Sequence, residues 1–314
     1  MIQTVTGDIR PDELGLVLAH EHMVVRSPGV AEDYPETYPR DAVLDVCVNA
    51  LTRLRSAAGV NTIIDHTTVE FGRDVNLLAE VSRRSGVRIV AASGLWFQPP
   101  TYFQHRSADE AAAMFIRDVK VGFADTGIRA GIVKCGIDQA GMTRPIETAI
   151  RAAALTHRAT GVPLTSHTSA QNRSGELLAN VLLDEGVDMR RVIIGHSGDS
   201  DDLVYLRHLI ETGALLGMDR FGSDETPSDA TRVQIVAQLC KEGHSGQLLL
   251  SHDAAAWSQW RSVEDRQKHK PRWHFQHVFD SIVPALLGAG VSENQVNEML
   301  VENPRRLFSA CEPY

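Results

Sequence analysis

The sequence predicts an α/β protein of the (β/α)8 TIM-barrel class, and three observations carry that prediction. Eight short apolar runs recur along the 314 residues. The intervals between them show helical spacing, and each run closes on polar residues at the same end. Continuous apolar strands separated by amphipathic helices indicate a parallel sheet covered on both faces. Eight such strands at intervals of roughly 25–45 residues fit a barrel of roughly 250 residues with extensions. A doubly wound open sheet is the alternative, but no GxGxxG follows any of the runs.

The elements follow in order. The first 14 residues read as a small capping hairpin or lid. The eight strand runs are LGLVLAHEH, NTIIDHTT, VRIVAAS, AGIVKCG, VPLTSHT, RVIIGHS, GALLGMD and QLLLSHD. Helices are expected over Asp41–Ala58, Asp74–Ser85, Asp109–Phe123, Pro145–Thr160, Gly175–Glu185, Asp202–Glu211 and Asp229–Glu242. A long loop is expected from Ala254 to Lys270, and from Pro271 onward the chain reads as the eighth helix plus a C-terminal helix. With no internal repeat, low-complexity tract or linker, residues 1–314 are expected to form a single domain.

Composition narrows the function. The chain is 43% apolar, with 31 Lys and Arg against 40 Asp and Glu, a net charge of −9. No basic run stands out, which argues against nucleic acid or an anionic membrane surface as partner. Cys47, Cys135, Cys240 and Cys311 form no CxxC pair, as suits a reducing compartment. No basic segment leads into an apolar one at the N-terminus, and no run of about 18 apolar residues occurs. A soluble, cytoplasmic protein is expected.

The chemistry is expected at the C-terminal strand ends, where the βα loops surround a barrel's mouth. Those ends carry His20, His22, Lys134, His167, His196 and Asp253. In a strand, residues two apart share a face, so His20 and His22 can grip one ion together. Imidazole and carboxylate suit zinc or a similar divalent metal, with cobalt, iron or manganese as further candidates. Lys134 lies among Gly131, Ile132, Val133 and Cys135, where burial should depress its pKa. A neutral amine can add carbon dioxide, and the resulting carbamate can bridge two metals about 3.5–4 Å apart. Such a pair supplies hydroxide at neutral pH and polarises a carbonyl or phosphoryl oxygen, while Asp253 moves the proton to the leaving group. Any one strand histidine is more often structural than a ligand, and the weight rests on the joint pattern. His66 reads as a hydrogen-bonded rim residue, and His252, facing the other side of its strand, as structural.

HEH near the start, GIRAGIVKCG, VPLTSHTSAQNRSG, VIIGHSGDSDDLVYL, GMDRFG, LLLSHD and NPRRLFS together resemble the phosphotriesterase family of the amidohydrolase superfamily. The resemblance runs almost end to end. It implies a (β/α)8 barrel with two divalent metals, commonly zinc, a carboxylated Lys134 bridge and a homodimer. It further implies that His20, His22 and Asp253 hold the more buried metal, and His167 and His196 the more exposed one. Within the family, MDRFG and the short segment after Arg220 resemble the phosphotriesterase-like lactonases. GLWFQPP instead resembles the true phosphotriesterases, where Trp96 and Phe97 match leaving-group-pocket aromatics; the lactonases typically carry tyrosine in place of Trp96. Asp199 matches an aspartate associated with proton relay, though a helix N-cap is its plain alternative. Arg220 is read either as a substrate contact or as a rim ion-pair residue. Trp257 and Trp260 in the long loop are expected in the substrate pocket.

The resulting expectation is a binuclear metal-dependent hydrolase that opens acyl-homoserine or aliphatic lactones, with promiscuous activity on phosphotriesters. The alternative keeps the same centre but favours an aryl phosphotriester, a carboxylic ester or an amide. More distant alternatives are a barrel with Lys134 as a Schiff-base lysine and a ligand-binding barrel without catalysis.

Overall fold

The computed structural model describes residues 1–223, 227–309 and 312–314, and Cys311 lies outside the described residues. The chain opens with an antiparallel hairpin of β1 (Ile2–Thr4) and β2 (Gly7–Ile9). Eight parallel strands follow, namely β3 (Val17–Val25), β4 (Thr62–Asp65), β5 (Arg88–Gly94), β6 (Ile132–Gly136), β7 (Leu164–His167), β8 (Val192–Ile194), β9 (Leu215–Met218) and β10 (Leu248–Leu250). Each pairs with its sequence neighbour. This is the (β/α)8 arrangement.

The ring closes through a ninth strand, β11 (Ala255–Ser258), which runs parallel to β3 with Ala255 opposite His22. Just before it, the Asp253 N–H donates to His20 O at 3.0 Å and the His22 N–H to Ala254 O at 2.9 Å. The sequence reading placed this stretch in a loop. AAWS lacks a run of β-branched residues, and its pairing is imposed by the backbone it meets rather than by its own propensity.

Seven helices lie close to their expected spans: Arg40–Ala58, Val75–Ser85, Ala108–Lys120, Arg144–Thr160, Ser174–Asp184, Leu203–Glu211 and Asp229–Lys241. A short helix, Val263–His269, sits inside the expected long loop. Towards the C-terminus two helical stretches each contain a wide turn, Val278–Ile282 and Glu298–Glu302. Each wide turn runs into a helix with proline near its start, Val283–Gly288 and Asn303–Leu307. Proline has no N–H to give the preceding turn and its ring crowds the carbonyl four residues back, which explains the local widening.

The hairpin caps the barrel at the end away from the mouth. Ile2 packs with Val17, Ile64, Val90, Ile132 and Leu249, and the Val5 N–H donates to Ile89 O at 2.9 Å. Along β3 the pairing register with β4 shifts between Leu18 and Glu21. Val17 and Ala19 belong to the inner cluster while Leu18 packs outward. Strict alternation would send His20 outward with Leu18; the shift restores it to the interior, with His22, at the mouth.

Candidate metal centre and active site

His20 and His22 leave β3 on the same side, and Asp253 follows β10. His20 Nε2 and His22 Nε2 each lie 3.2 Å from Asp253 Oδ1. Three donors around one tetrahedral zinc are ~3.3 Å apart, given bond lengths of about 2.0–2.1 Å. The far nitrogens are fixed: His20 Nδ1 bonds Asp219 Oδ2 at 2.7 Å and His22 Nδ1 bonds Thr67 Oγ1 at 2.9 Å. Partners of this sort aim a metal-binding imidazole. His20 Nε2 is buried without a hydrogen-bond partner among the described residues. Buried polar atoms are nearly always satisfied, so this orphan is what an ion-binding nitrogen should look like, and the donors fit a divalent metal.

A second pair stands alongside. His167, at the end of β7, and His196, just after β8, approach to 2.9 Å between Nδ1 and Nε2. His167 Nε2 bonds Asp138 Oδ2 at 2.7 Å, and His196 Nδ1 bonds Asp219 Oδ1 at 3.0 Å. Asp219 therefore steers one histidine of each pair. His20, His196 and Asp253 offer donors within 4.8 Å of one another. His196 and Asp253 adopt left-handed backbone, with φ of 61° and 53°. That conformation costs a non-glycine residue about 1–3 kcal/mol and is typical of functional sites.

Lys134, on β6, is buried, and its Nζ donates to His66 O at 3.3 Å. Burial pushes its ammonium down to about 8, against the pull of Asp253 and Glu70. Burial also lowers His20, to about 4, although Asp253 and Asp219 oppose it. Asp253 goes the other way: desolvation favours its acid form, but His20, His196, His22 and Arg220 outweigh that and hold the carboxyl well below its usual range. The centre thus combines a neutral His20 imidazole, a weakened Lys134 ammonium and an ionised Asp253 carboxylate, a protonation pattern suited to metal binding.

Arg220 follows Asp219. Its Nε lies 3.1 Å from Asp253 Oδ2, and one terminal nitrogen lies 2.8 Å from Asp199 Oδ2. Asp199 also accepts from the buried Arg232 at 2.7 Å. It is not the N-cap of the following helix; that is Asp202, which accepts from the Val204 and Tyr205 N–H groups. The Arg220 side chain stands between the Asp253 and Asp199 carboxylates.

The cavity over the centre has a volume of about 170 Å³ and is walled by Phe71, Trp96, Trp260 and Trp273, with Arg220 and Asp253 on its polar side. The Trp96 indole N–H donates to His167 Nδ1 at 3.1 Å. Phe97 stacks beside Trp96 and His167, with ring centroids 3.9 and 4.6 Å away, and does not line the cavity. Trp257 does not reach it either. It sits opposite Val24 in the β3–β11 pair and packs on Tyr38, because β11 turns it away from the mouth.

His66 corrects the reading as a rim residue: it is fully buried. His252 bonds Glu21 Oε1 through Nδ1 at 2.6 Å and accepts the Val278 N–H through Nε2 at 2.9 Å, a structural environment. Sequence reasoning missed Asp219, Asp138, Glu21, Phe71 and Trp273. Asp219 closes the run GALLGMD and could have been found by the strand-end rule. Asp138 and Trp273 lie in loops and Phe71 ends a short 3-10 turn (Val69–Phe71), where nothing in the sequence marks which side chains turn inward.

Fold and site together define a (β/α)8-barrel hydrolase. The comparisons give the family: the model of the phosphotriesterase family matches residues 1–308, and the chain belongs to that family. It is 39% identical to the phosphotriesterase homology protein of Mycobacterium tuberculosis, over 98% of this chain and 97% of the relative. It is 35% identical to an aryldialkylphosphatase of Saccharolobus solfataricus, over 96% of this chain and 97% of the relative. The solved structure of the phosphotriesterase from Mycobacterium tuberculosis superposes with a TM-score of 0.94 at 39% identity, covering 98% of each chain.

Proposed function

We propose that this hydrolase opens lactones at a two-metal centre, with a secondary activity on phosphotriesters. The size of the cavity carries this reading. At about 170 Å³ it lies well below the roughly 300–1,000 Å³ of common small-molecule pockets. A flat lactone ring with one substituent fits such a space better than a tetrahedral phosphorus bearing an aryl and two alkoxy groups.

His20, His22 and Asp253 would hold one ion, His167 and His196 the other, and a carboxylated Lys134 would bridge them; zinc matches the donor set. When bound, the ions supply a nucleophile at neutral pH and polarise the carbonyl. The chain does the rest. Phe71, Trp96, Trp260 and Trp273 exclude water and hold the apolar part of the substrate. Asp253 Oδ2 carries a proton towards the departing alkoxide, and Arg220 fixes the carboxylate and offers a positive charge where negative charge grows. Because Arg220 separates Asp253 from Asp199, we assign Asp199 to anchoring Arg220 rather than to direct proton relay. Trp260, whose indole N–H bonds Ser27 Oγ at 2.9 Å, is the loop aromatic placed to meet substrate.

A second reading makes an aryl phosphotriester the better substrate. Trp96 on the cavity wall, backed by Phe97, supports it. The test is kcat/KM of the metal-loaded protein for an aliphatic or acyl-homoserine lactone beside an aryl dialkyl phosphate. A lactone advantage of about 100-fold, roughly 2.7 kcal/mol of transition-state binding, supports the first reading. The reverse ratio establishes the second.

A further inference from the structure

One imidazole at the centre has no task in the scheme above. His66 directly follows β4 and is fully buried. Its ring centroid lies 3.8 Å from that of His20. Its carbonyl accepts the Lys134 Nζ hydrogen bond, and its Nδ1 lies 3.5 Å from Thr165 Oγ1. Thr165 is the residue paired with Lys134 across the β6–β7 ladder. The residue therefore reaches from the second strand to the fifth, its ring against His20 and its backbone carbonyl on Lys134 Nζ. The titratable groups acting on it are His20, Lys134, His22 and Asp253.

Its Nε2 is buried with no hydrogen-bond partner among the described residues. A neutral imidazole has one N–H and one lone pair. In the tautomer whose Nδ1 accepts from the Thr165 hydroxyl, Nε2 carries the hydrogen and meets no acceptor among the described residues. A ring needed only for packing would be better served by an apolar side chain, which leaves no donor stranded.

We propose that His66 is a positioning residue of the metal centre, its Nε2–H partnering the carboxylate that Lys134 acquires on carboxylation. The inference rests on the reading of Lys134 as a carboxylated lysine. In that step the neutral Nζ lone pair forms a bond to the carbon of carbon dioxide. One C=O electron pair moves onto oxygen, and a proton leaves nitrogen for solvent. The product is an anion in a dry interior, which needs hydrogen-bond donors there. His66 supplies one from the floor of the site, on a rigid strand end. Loss of a partner of this kind typically weakens metal binding by about 10–100-fold.

The full-length protein and two variants test this. His66→Phe keeps an aromatic ring and removes the donor; His66→Gln keeps a donor in a smaller side chain. Carbamate is read by carbon-13 NMR after incubation with labelled bicarbonate. Zinc affinity is read by competition with a chelator and elemental analysis. Expected for His66→Phe are a diminished carbamate signal and a zinc affinity about 10–100-fold weaker, with substantial recovery in His66→Gln. Should His66→Phe fail to fold, Thr165→Val, which frees the tautomer, is expected to weaken both readouts in the same direction. A folded His66→Phe with wild-type carbamate and zinc affinity overturns the proposal. Two bound zinc ions without any carbamate in the wild type overturn the carboxylated-lysine reading itself, and that failure shows before any variant is made.

Discussion

Arg220 grips Asp253: its Nε lies 3.1 Å from Oδ2, the oxygen turned away from the histidine pair, while Oδ1 faces His20 and His22. One carboxylate is thereby divided between a candidate metal site and a fixed cation. Burial alone would lower the guanidinium pKa, yet Asp253 and Asp199 raise it above its ordinary value, so its charge is permanent. Replacing Arg220 by Ala removes that charge and leaves Asp199 buried against Arg232 alone. We expect kcat to fall about 100-fold, the scale of losing one donor to a developing oxyanion, while bound metal stays at the wild-type level. A matching loss of metal would show that Arg220 acts by holding the ligand.

Asp199 separates anchoring from relay. Asp199→Asn keeps an oxygen for one arginine but can take no proton. The anchoring role predicts a loss of no more than about 10-fold in kcat, in line with one weakened charge-assisted hydrogen bond. A loss as large as that of Asp253→Asn would restore the relay.

Stripping the metals tests the centre itself. Chelation should abolish hydrolysis, and zinc or cobalt should restore it. An ion held at 100 times its Kd adds about 2.7 kcal/mol to stability, so the Tm should drop by several degrees on stripping and recover on reloading. Activity that survives removal of both ions would refute the proposed chemistry.

The pH dependence of the metal-free protein reports on Lys134. Its folded-state pKa, about 8, lies below the 10.5 of an unperturbed lysine. Between those values the unfolded chain binds more protons than the folded one, so stability rises with pH across that window. Below pH 8 the buried ammonium carries its full desolvation cost. Relative to Lys134→Met, the wild type should gain about 2 kcal/mol between pH 8 and 10, measurable by denaturant unfolding at each pH. Parallel curves for the two proteins would mean that the amine is not desolvated when metal is absent.

Much of this site was legible because its candidate ligands lie within or just past the parallel strands. Apolar runs locate each parallel strand, and the polar residues that close a run lie towards the mouth; hence His20, His22, Lys134, His167, His196 and Asp253 could be read off together. The parity of β3 was not legible, since the register shift between Leu18 and Glu21 depends on the neighbouring strand. The cavity walls were only partly so. Trp260 reaches the cavity and Trp257 does not, because β11 sets which of the two turns inward. That strand is made by pairing with β3, and its own composition does not announce it. His66 looked like an ordinary strand-end histidine because burial and an unsatisfied nitrogen are properties of the packed interior alone.

The glutamate between the two histidines of HEH gives the last prediction. Glu21 is fully buried. Its carboxylate accepts from Ser251 Oγ at 2.8 Å, from the His252 N–H at 3.1 Å and from the Ala254 N–H at 3.0 Å, and it bonds His252 Nδ1 at 2.6 Å. Those partners bracket Asp253, which itself sits at a positive φ, a conformation uncommon for a non-glycine residue. Glu21 thus ties the chain leaving β10 to β3 and holds the backbone that presents Asp253, a candidate ligand. Glu21→Ala strands several buried donors at once and should cost about 3–5 kcal/mol, the scale of breaking a buried charged network. Glu21→Gln preserves volume and one acceptor and should cost less. Because the damage falls on Asp253, metal affinity should drop along with Tm in both variants, although Glu21 touches no ion. If Glu21→Gln were to lower the Tm while binding zinc as the wild type does, the segment around Asp253 would be positioned by its own pairing with His20 and His22 and not by this carboxylate.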